Sequence, residues 1–92
     1  MTESALKASI VRALRYQGCL VYPTYGHPVG APDYIVFAPG GRVVAMEVKT
    51  AVGRLTKAQE KQLELLNKLG TKAVVVRSVQ EALSVMGGLA QL

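Results

Sequence analysis

Three side chains that can carry out hydrolytic chemistry lie close together in the central part of the chain. Asp33 is the only aspartate among the 92 residues, Glu47 lies fourteen positions later, and Lys49 follows two residues beyond it. Two carboxylates at this spacing can hold a hard divalent cation, since Mg²⁺ and Mn²⁺ prefer oxygen ligands. Such a cation polarises a phosphodiester and lowers the pKa of a bound water molecule. The lysine can then orient or deprotonate that water, or neutralise the charge that develops on the phosphate.

A predicted β-hairpin brings the two acids together. Residues 33–37 and 42–50 have the composition of strands, and the residues around Gly40 form the turn between them. A turn centred on Gly40 pairs positions whose numbers add up to 80, so that Asp33 faces Glu47. Facing carboxylates repel each other, so either one of them takes a proton or a cation lies between them. A register slip of one residue would separate them.

The remaining elements must surround this hairpin. Apolar residues on both faces of the middle strands indicate helices on both sides of the sheet, and the strand that follows the crossover helix should pair in parallel. The fold class is therefore α/β, with a central mixed β-sheet flanked by helices in the order α-β-β-β-α-β-α. Outside the hairpin, the predicted helices cover residues 2–18, 56–70 and 78–88, and the predicted strands cover residues 19–22 and 73–77.

Composition limits the class of protein. Half of the residues are hydrophobic, which indicates a folded domain, and the length suits a single domain over residues 1–92. No apolar run approaches the ~20 residues of a membrane helix, and no secretion signal is recognisable. The single Cys19 forms no internal disulfide, so a cytoplasmic setting is expected. A bacterial or viral source is also expected. The net charge of +5 favours a polyanionic partner such as nucleic acid.

Several short motifs resemble a known nuclease family. Pro32-Asp33 followed by Glu47-Val48-Lys49 resembles the PD-(D/E)xK nuclease signature. Glu3 at the start of the first helix, the G-x-P-D element at residues 30–33 and Gln59 narrow this to the VRR-NUC family of virus-type replication-repair nucleases, in its minimal stand-alone form. The resemblance extends from Glu3 to the last strand and implies a restriction-endonuclease-like core. Archaeal Holliday junction resolvases share much of the same plan.

The resemblance implies a role for each matching position. Lys49 would be the catalytic lysine, and Gln59 would help to position the water or the phosphate. Asp33 and Glu47 would take part in catalysis through the cation they hold, which is expected to be Mg²⁺ or Mn²⁺. No nucleotide cofactor and no membrane are expected. The metal ligands would be three carboxylates and one backbone carbonyl, those of Glu3, Asp33, Glu47 and Val48.

The partner implied by the resemblance is DNA, most of all branched DNA. Stand-alone members of the family are regarded as homodimers that cut Holliday (four-way) junctions, and a two-fold dimer matches a two-fold substrate. A nuclease acting on flaps or nicks, and a non-catalytic nucleic-acid-binding module with the nuclease fold, remain alternatives. The residues expected to contact the DNA backbone are basic and lie on the two long helices or just before the second: Lys7, Arg12, Arg15, Arg54, Lys57 and Lys61. The apolar residues considered for the dimer interface are Val52, Val85, Met86, Leu89 and Leu92.

Each motif also has an ordinary structural interpretation. Asp33 could cap the loop before it, while Glu47 and Lys49 form a same-face pair on an exposed strand end. An acid at Glu3 favours the helix dipole without any ligand. Gln59 fits a capping box at the start of the second long helix, a role that could coexist with catalysis. The only histidine, His27, lies in the loop before the motif and is not assigned to the metal set.

Overall fold

The computed structural model describes residues 1–87, and within this range the element order is the predicted α-β-β-β-α-β-α. None of the helices in this range has the length and the hydrophobicity needed to traverse a lipid bilayer. A short 3₁₀ turn at Pro39–Gly41 joins the second and third strands. The elements are α1 (Glu3–Tyr16), β1 (Leu20–Pro23), β2 (Tyr34–Ala38), β3 (Arg42–Val48), α2 (Lys57–Lys68), β4 (Lys72–Val76) and α3 (Val79–Val85).

The four strands form one mixed sheet in the order β1-β2-β3-β4. The first three pair antiparallel, and β4 pairs in parallel with β3 after the α2 crossover. Tyr34 lies opposite Met46 and Ala38 opposite Arg42, so the predicted register, in which paired numbers add up to 80, is confirmed. Gly40 in the turn has a φ of 83°, a conformation that glycine adopts without steric cost.

One face of the sheet is closed by α1 and α3. The Thr2 hydroxyl accepts a hydrogen bond from the Ala5 amide and caps α1, as Ser78 does for α3. Helical spacing then turns the inner side chains of α1 towards the sheet. The core consists of these side chains and the strand residues that point to the same face, including Leu6, Ile10, Leu14, Val21, Val36, Val44, Met46 and Val76.

The opposite face of the sheet is only partly covered. α2 begins with the predicted capping box between Thr56 and Gln59, yet it contains no fully buried residue. Near its end, the side-chain amide of Asn67 exchanges hydrogen bonds with the backbone of Ala73, which fastens α2 to β4. The β1–β2 side of this face carries no helix from the described part of the chain.

One candidate interface residue is part of the core instead. Met86 is 1% exposed and packs with the α1 and sheet side chains, so its assignment to a dimer interface is wrong. The physical reason is that Met86, which follows the last turn of α3, faces the same side as the buried Ala82. The Arg42 guanidinium donates hydrogen bonds to the carbonyls of Met86 and Gly87 and holds this end of α3 against the sheet. Leu89 and Leu92 lie outside the described residues.

Gly30 allows the loop before β2 to approach the first turn of α2. A Cβ atom at Gly30 would lie 2.6 Å from the carbonyl carbon and 2.6 Å from the carbonyl oxygen of Ala58. Its φ of 85° also lies in the left-handed region. Because Ala58 precedes Gln59, this contact sets the position of the helix start relative to the loop that leads to Asp33.

We predict that Gly30→Ala lowers the free energy of unfolding by about 2–3 kcal/mol, because backbone atoms must move apart and the left-handed conformation is strained. Gly26→Ala is the matched control, since Gly26 has a φ of 74° in the same loop but a Cβ atom added there would meet no other atom within 4 Å. Urea unfolding measures both variants. Equal losses in the two would contradict the role given to the Ala58 contact.

Candidate active site

The two central acids meet at the open end of the β2–β3 hairpin. Asp33 immediately precedes β2 and its Oδ2 accepts a hydrogen bond of 2.8 Å from the backbone amide of Val48. Glu47, which the confirmed register places opposite Asp33, is 2% exposed. The interpretation of Glu47 as part of an exposed pair at a strand end is therefore wrong, because the carboxylate is buried within the sheet.

The two oxygens of the buried Glu47 carboxylate differ in their hydrogen-bond partners. Its Oε2 accepts a hydrogen bond of 3.2 Å from the side-chain amide of Gln59 and lies 3.8 Å from the Lys49 ammonium. Its Oε1 is buried without any hydrogen-bond partner among the described residues. An unpartnered buried oxygen of this kind is costly. The structure therefore keeps a strong acceptor available beside Asp33.

The environment of Glu47 raises its pKa to about 7. Burial is the largest cause, because desolvation penalises the charged form. The neighbouring Asp33 raises the pKa further through its charge and because it can accept a hydrogen bond from the protonated form of Glu47, while Lys49 and Lys7 lower it. The pair behaves as the facing acids in the sequence predict: without a cation, a proton is favoured on one of them.

Gln59 fulfils two roles at once. Its backbone amide donates to the Thr56 hydroxyl and its side-chain oxygen accepts from the Thr56 amide, which completes the capping box. The remaining amide nitrogen of the same side chain donates to Glu47. The capping interaction therefore fixes the side chain that orients the buried acid, and the first turn of α2 is tied to the site.

Lys7 connects the third acid to the site. Its ammonium lies 3.1 Å from Asp33 Oδ1 and 3.2 Å from Glu3 Oε2, and Glu3 is one helical turn away on α1. Burial lowers the pKa of Lys7, but hydrogen bonds and charge from Asp33 and Glu3 raise it by more, so that its pKa is raised overall. Lys7 is thus an ion-pair partner of the acids. The Glu3–Lys7 spacing was a visible signal for the first pair, whereas no sequence signal indicates the contact with Asp33.

The three acids do not converge on one point. Within residues 1–87 no three acidic, histidine or cysteine side chains lie close enough together to hold a metal ion. Asp33 and Glu47 meet directly, whereas Glu3 reaches them only through Lys7. The Asp33–Glu47 pair fits a hard divalent cation on its own chemistry, since it offers two adjacent carboxylates and a buried oxygen without a partner.

The position of Lys49 is fixed by a backbone hydrogen bond to β4. Its amide donates to the Val76 carbonyl of β4, and its side chain is 12% exposed. The loop that follows is fastened by Arg77, whose guanidinium donates to the carbonyls of Thr50 and Gly53. Arg77 was not among the expected functional residues. A basic residue at the end of a predicted strand gave only a weak signal for such a clamp.

The other expected DNA contacts are basic side chains on the surface around this centre. Arg12 and Arg15 are exposed on α1, where they face the loop that follows β1. Arg54, Lys57 and Lys61 are exposed before and within the first turns of α2. The start of α2 also carries Gln59, so this second basic group begins next to the acids.

The sequence and the fold were compared with known proteins. The sequence model of the VRR-NUC domain matches residues 2–80, which is most of the chain. The chain belongs to the VRR-NUC family. It is a domain of a nuclease family, which implies hydrolysis of DNA, and the family is typically metal-dependent. The resemblance inferred from the motifs is confirmed.

Solved VRR-NUC structures have the same fold. One, named "VRR_NUC domain", superposes with a TM-score of 0.79 at 26% sequence identity, covering 91% of this chain and 92% of that chain. Another, named "VRR_NUC domain protein", superposes with a TM-score of 0.72 at 23% identity, covering 99% of this chain and 89% of that one. No curated protein matches this chain. The mixed sheet with flanking helices is therefore the VRR-NUC fold.

The raised pKa of Glu47 predicts a pH-dependent stability for the metal-free protein. Between its ordinary value of 4.5 and about 7, the folded state binds a proton that the unfolded state has lost. The free energy of unfolding should therefore fall as the pH rises through this window, by on the order of 3 kcal/mol for this group. Urea unfolding in EDTA at several pH values measures it.

The matched variants for this prediction are Glu47→Gln and Glu64→Gln. Glutamine resembles the protonated acid, so Glu47→Gln should remove most of this slope and be more stable than the wild type near pH 7. Glu64 is exposed on α2, and its substitution should leave the slope unchanged. The same slope in both variants would show that Glu47 titrates normally.

Proposed function

We propose that this chain is a Mg²⁺- or Mn²⁺-dependent endodeoxyribonuclease that cuts four-way (Holliday) junctions as a homodimer, with residues 1–92 acting as a single nuclease domain. The observation that carries the proposal is the buried carboxylate of Glu47, which faces Asp33, leaves one oxygen unpartnered and lies 3.8 Å from the Lys49 ammonium. Two acids and a lysine are gathered here at the expense of stability. Such an arrangement is typical of a catalytic centre.

The proposed metal ligands are Asp33, Glu47 and the backbone carbonyl of Val48, with Glu3 joining them when Lys7 moves away. When bound, the cation would polarise the scissile phosphate and lower the pKa of the attacking water. In the metal-free state the two acids differ in their hydrogen bonds. Asp33 accepts from the Val48 amide, whereas Oε1 of Glu47 accepts from none of the described residues. This difference supports Glu47 as the acid that a bound cation would stabilise more.

Lys49 is proposed to act on the phosphate or on the water. Its ammonium is held near the acids by Glu47 and reaches the open end of the hairpin. From there it can neutralise charge on the pentacovalent phosphate, or it can orient or deprotonate the attacking water. Gln59 is proposed to orient Glu47 and to position the water or the phosphate, supported by its hydrogen bond to Glu47.

Binding to DNA is proposed to rely on phosphate contacts and shape. The basic side chains offered for these contacts contain no arrangement for reading base edges, so they would set register and affinity rather than sequence. Lys7 has two roles in this proposal. In the free protein it forms ion pairs with Glu3 and Asp33, and in the complex its side chain can rotate to contact a phosphate. The full set proposed to contact the backbone is Lys7, Arg12, Arg15, Arg54, Lys57 and Lys61.

Catalysis is tested by Asp33→Asn, Glu47→Gln and Lys49→Ala. Each should reduce cleavage to background while leaving DNA binding within a few-fold of wild type, because other residues are proposed to make most of the contacts with the DNA backbone. Lys68→Ala, in an exposed lysine at the other end of α2, is the control and should retain activity.

The dependence on a metal is tested with the wild type. EDTA should stop cleavage, Mg²⁺ or Mn²⁺ should restore it, and Ca²⁺ should support binding only. Full activity of Lys49→Ala, or cleavage that persists in EDTA, would reject this mechanism.

A homodimer is supported by the uncovered part of the sheet. Leu20, Tyr22, Phe37 and Val43 lie on the face that α2 leaves open, and they are 36–58% exposed. We call these four residues the open apolar face. It lies on the same side of the sheet as Glu47 but towards the turn, away from the acids. A two-fold contact needs only one self-complementary patch per chain, so this face could pair with its own copy and leave both active sites accessible.

The assembly and the substrate are tested together. We predict a stable dimer at low micromolar concentration that buries at least ~1,000 Å² and makes paired, near-symmetric cuts in a four-way junction, with weak activity on linear duplex. Tyr22→Glu should shift the protein to monomers, because a charge cannot be buried unpaired in such a contact. Val29→Glu, in an exposed loop residue that is not one of these four, should remain dimeric.

Light scattering and mapping of the cut sites on both strands are the measurements. A monomeric wild type that cuts plain duplex as fast as the junction would reject both the assembly and the substrate. A dimer that cuts flaps or nicked DNA best would keep the assembly and replace the junction by another branched substrate. A protein that binds branched DNA without cutting any of it would be a non-catalytic binding module.

A further inference from the structure

A groove beside the acids has an apolar floor to which two aromatic and two basic side chains are added. It runs between α1 and the segment that leads from β1 into the following loop, and its volume is about 590 Å³. Tyr25 and Tyr34 contribute the rings, and Arg12 and Arg15 contribute the charge. A smaller cavity of about 280 Å³ shares both tyrosines and continues to Lys7 and Asp33. The groove therefore opens onto the active site.

Tyr25 is held in an unusual position. Its φ is 56°, the only positive φ of a non-glycine residue within residues 1–87, and its side chain is 83% exposed. A left-handed conformation costs a tyrosine roughly 1–2 kcal/mol. An exposed ring contributes little burial energy in return. Such strain is retained where the surrounding structure over-determines it, most often at ligand-binding positions.

Thr24 is the residue that enforces this conformation. Its hydroxyl donates to the Pro32 carbonyl at 2.7 Å and accepts from the Gly26 amide at 3.2 Å. Its amide donates to the carbonyl of Asp33 at 3.0 Å. The turn that carries Tyr25 is thus tied directly to the residue that carries the catalytic acid. The backbone that carries the Tyr25 ring is thereby fixed at the rim of the site.

Tyr34 forms the inner wall of the same groove. It is half-buried against the core, and burial is the main cause of the raised pKa of its hydroxyl. Tyr34 lines the groove together with the two arginines, and it also lines the smaller cavity together with Lys7 and Asp33. It therefore connects the basic part of the groove to the acids.

We infer that this groove binds an unpaired nucleotide next to the scissile phosphate, with its base on Tyr25 and its flanking phosphates on Arg12 and Arg15. The inference rests on the proposed function, because the scissile phosphate would have to lie at the cation that the acids would hold. An aromatic ring stacks on any base and so selects unpaired over paired bases without reading sequence. A nucleotide at the point of a branch is more easily unstacked than one inside a duplex. The groove would thereby select branched DNA.

The test compares two fluorescein-labelled duplexes in EDTA, one with a single unpaired thymine and one fully paired, by anisotropy. The wild type should prefer the unpaired thymine. Tyr25→Ala should weaken binding to that DNA by about 5- to 150-fold, the range expected for loss of one stacked base, and should change the paired duplex little. Tyr25→Phe keeps the ring and should retain the preference.

Two further variants separate stacking from other effects. Tyr16→Ala removes a tyrosine that is 89% exposed at the end of α1, outside the groove, and should bind both DNAs like the wild type. The double variant Arg12→Gln with Arg15→Gln should weaken binding to both DNAs alike, because phosphate contacts do not depend on base pairing. Urea unfolding should show that Tyr25→Ala remains folded.

The outcomes distinguish this inference from the proposed activity. No preference of the wild type for the unpaired thymine, or an equal loss on both DNAs in Tyr25→Ala, would overturn the base-binding groove while leaving the nuclease assignment untouched. A selective loss in Tyr25→Ala would support the groove even if the wild type cut no DNA, because binding is measured without a metal. In that case the proposed catalysis alone would fail.

Discussion

A buried carboxylate placed beside a second carboxylate is the constraint around which this domain is organised. Glu47 lies inside the sheet where water cannot screen it, and Asp33 faces it across the hairpin. A hydrophobic residue at either position would serve the core better. Every element that approaches this point brings a polar or charged group that compensates part of the repulsion, and one oxygen is still left without a partner among the described residues.

The compensating groups come from separate parts of the chain. α2 supplies Gln59, whose side chain is fixed by the helix cap and whose position depends on the close approach of Gly30. β3 leads into Lys49, and the loop after it is clamped from the end of β4. α1 supplies Lys7, which neutralises Asp33. The site is therefore a meeting point of three elements, so a small shift of any one of them would alter it.

The two faces of the sheet differ in a way that fits a small enzyme. The face under α1 and α3 is closed and contains most of the core, which gives the domain its stability. The other face carries the acids at one end and leaves apolar residues uncovered at the other. In the function proposed above, substrate selection and assembly would share the surface that remains. In the arrangement proposed above, the aromatic groove and the open apolar face lie on different sides of the domain and do not compete.

Much of the fold could be predicted from local signals in the sequence. The glycine turn and the period of two along each strand determined the register that brings Asp33 opposite Glu47. Thr56 and Gln59 indicated the start of α2, and the crossover helix implied a parallel β4. The order and spacing of the motifs were sufficient to indicate the VRR-NUC family. These features depend on residues close in sequence or on a single hairpin, where periodicity and turn chemistry leave few alternatives.

The tertiary structure alone decided the remaining features, because they depend on contacts between residues far apart in sequence. Nothing local indicates that Lys7 pairs with Asp33, that Glu3 stays apart from the other two acids, or that Glu47 keeps an oxygen without a partner in the described part of the chain. Whether an apolar residue such as Met86 belongs to the core or to the surface depends on which face of its helix meets the sheet. Likewise, Tyr25 resembles an ordinary loop residue until Thr24 is seen to tie its turn to Asp33. The sequence by itself determined which chemical groups the site contains, and the packing of three elements decided which of them touch.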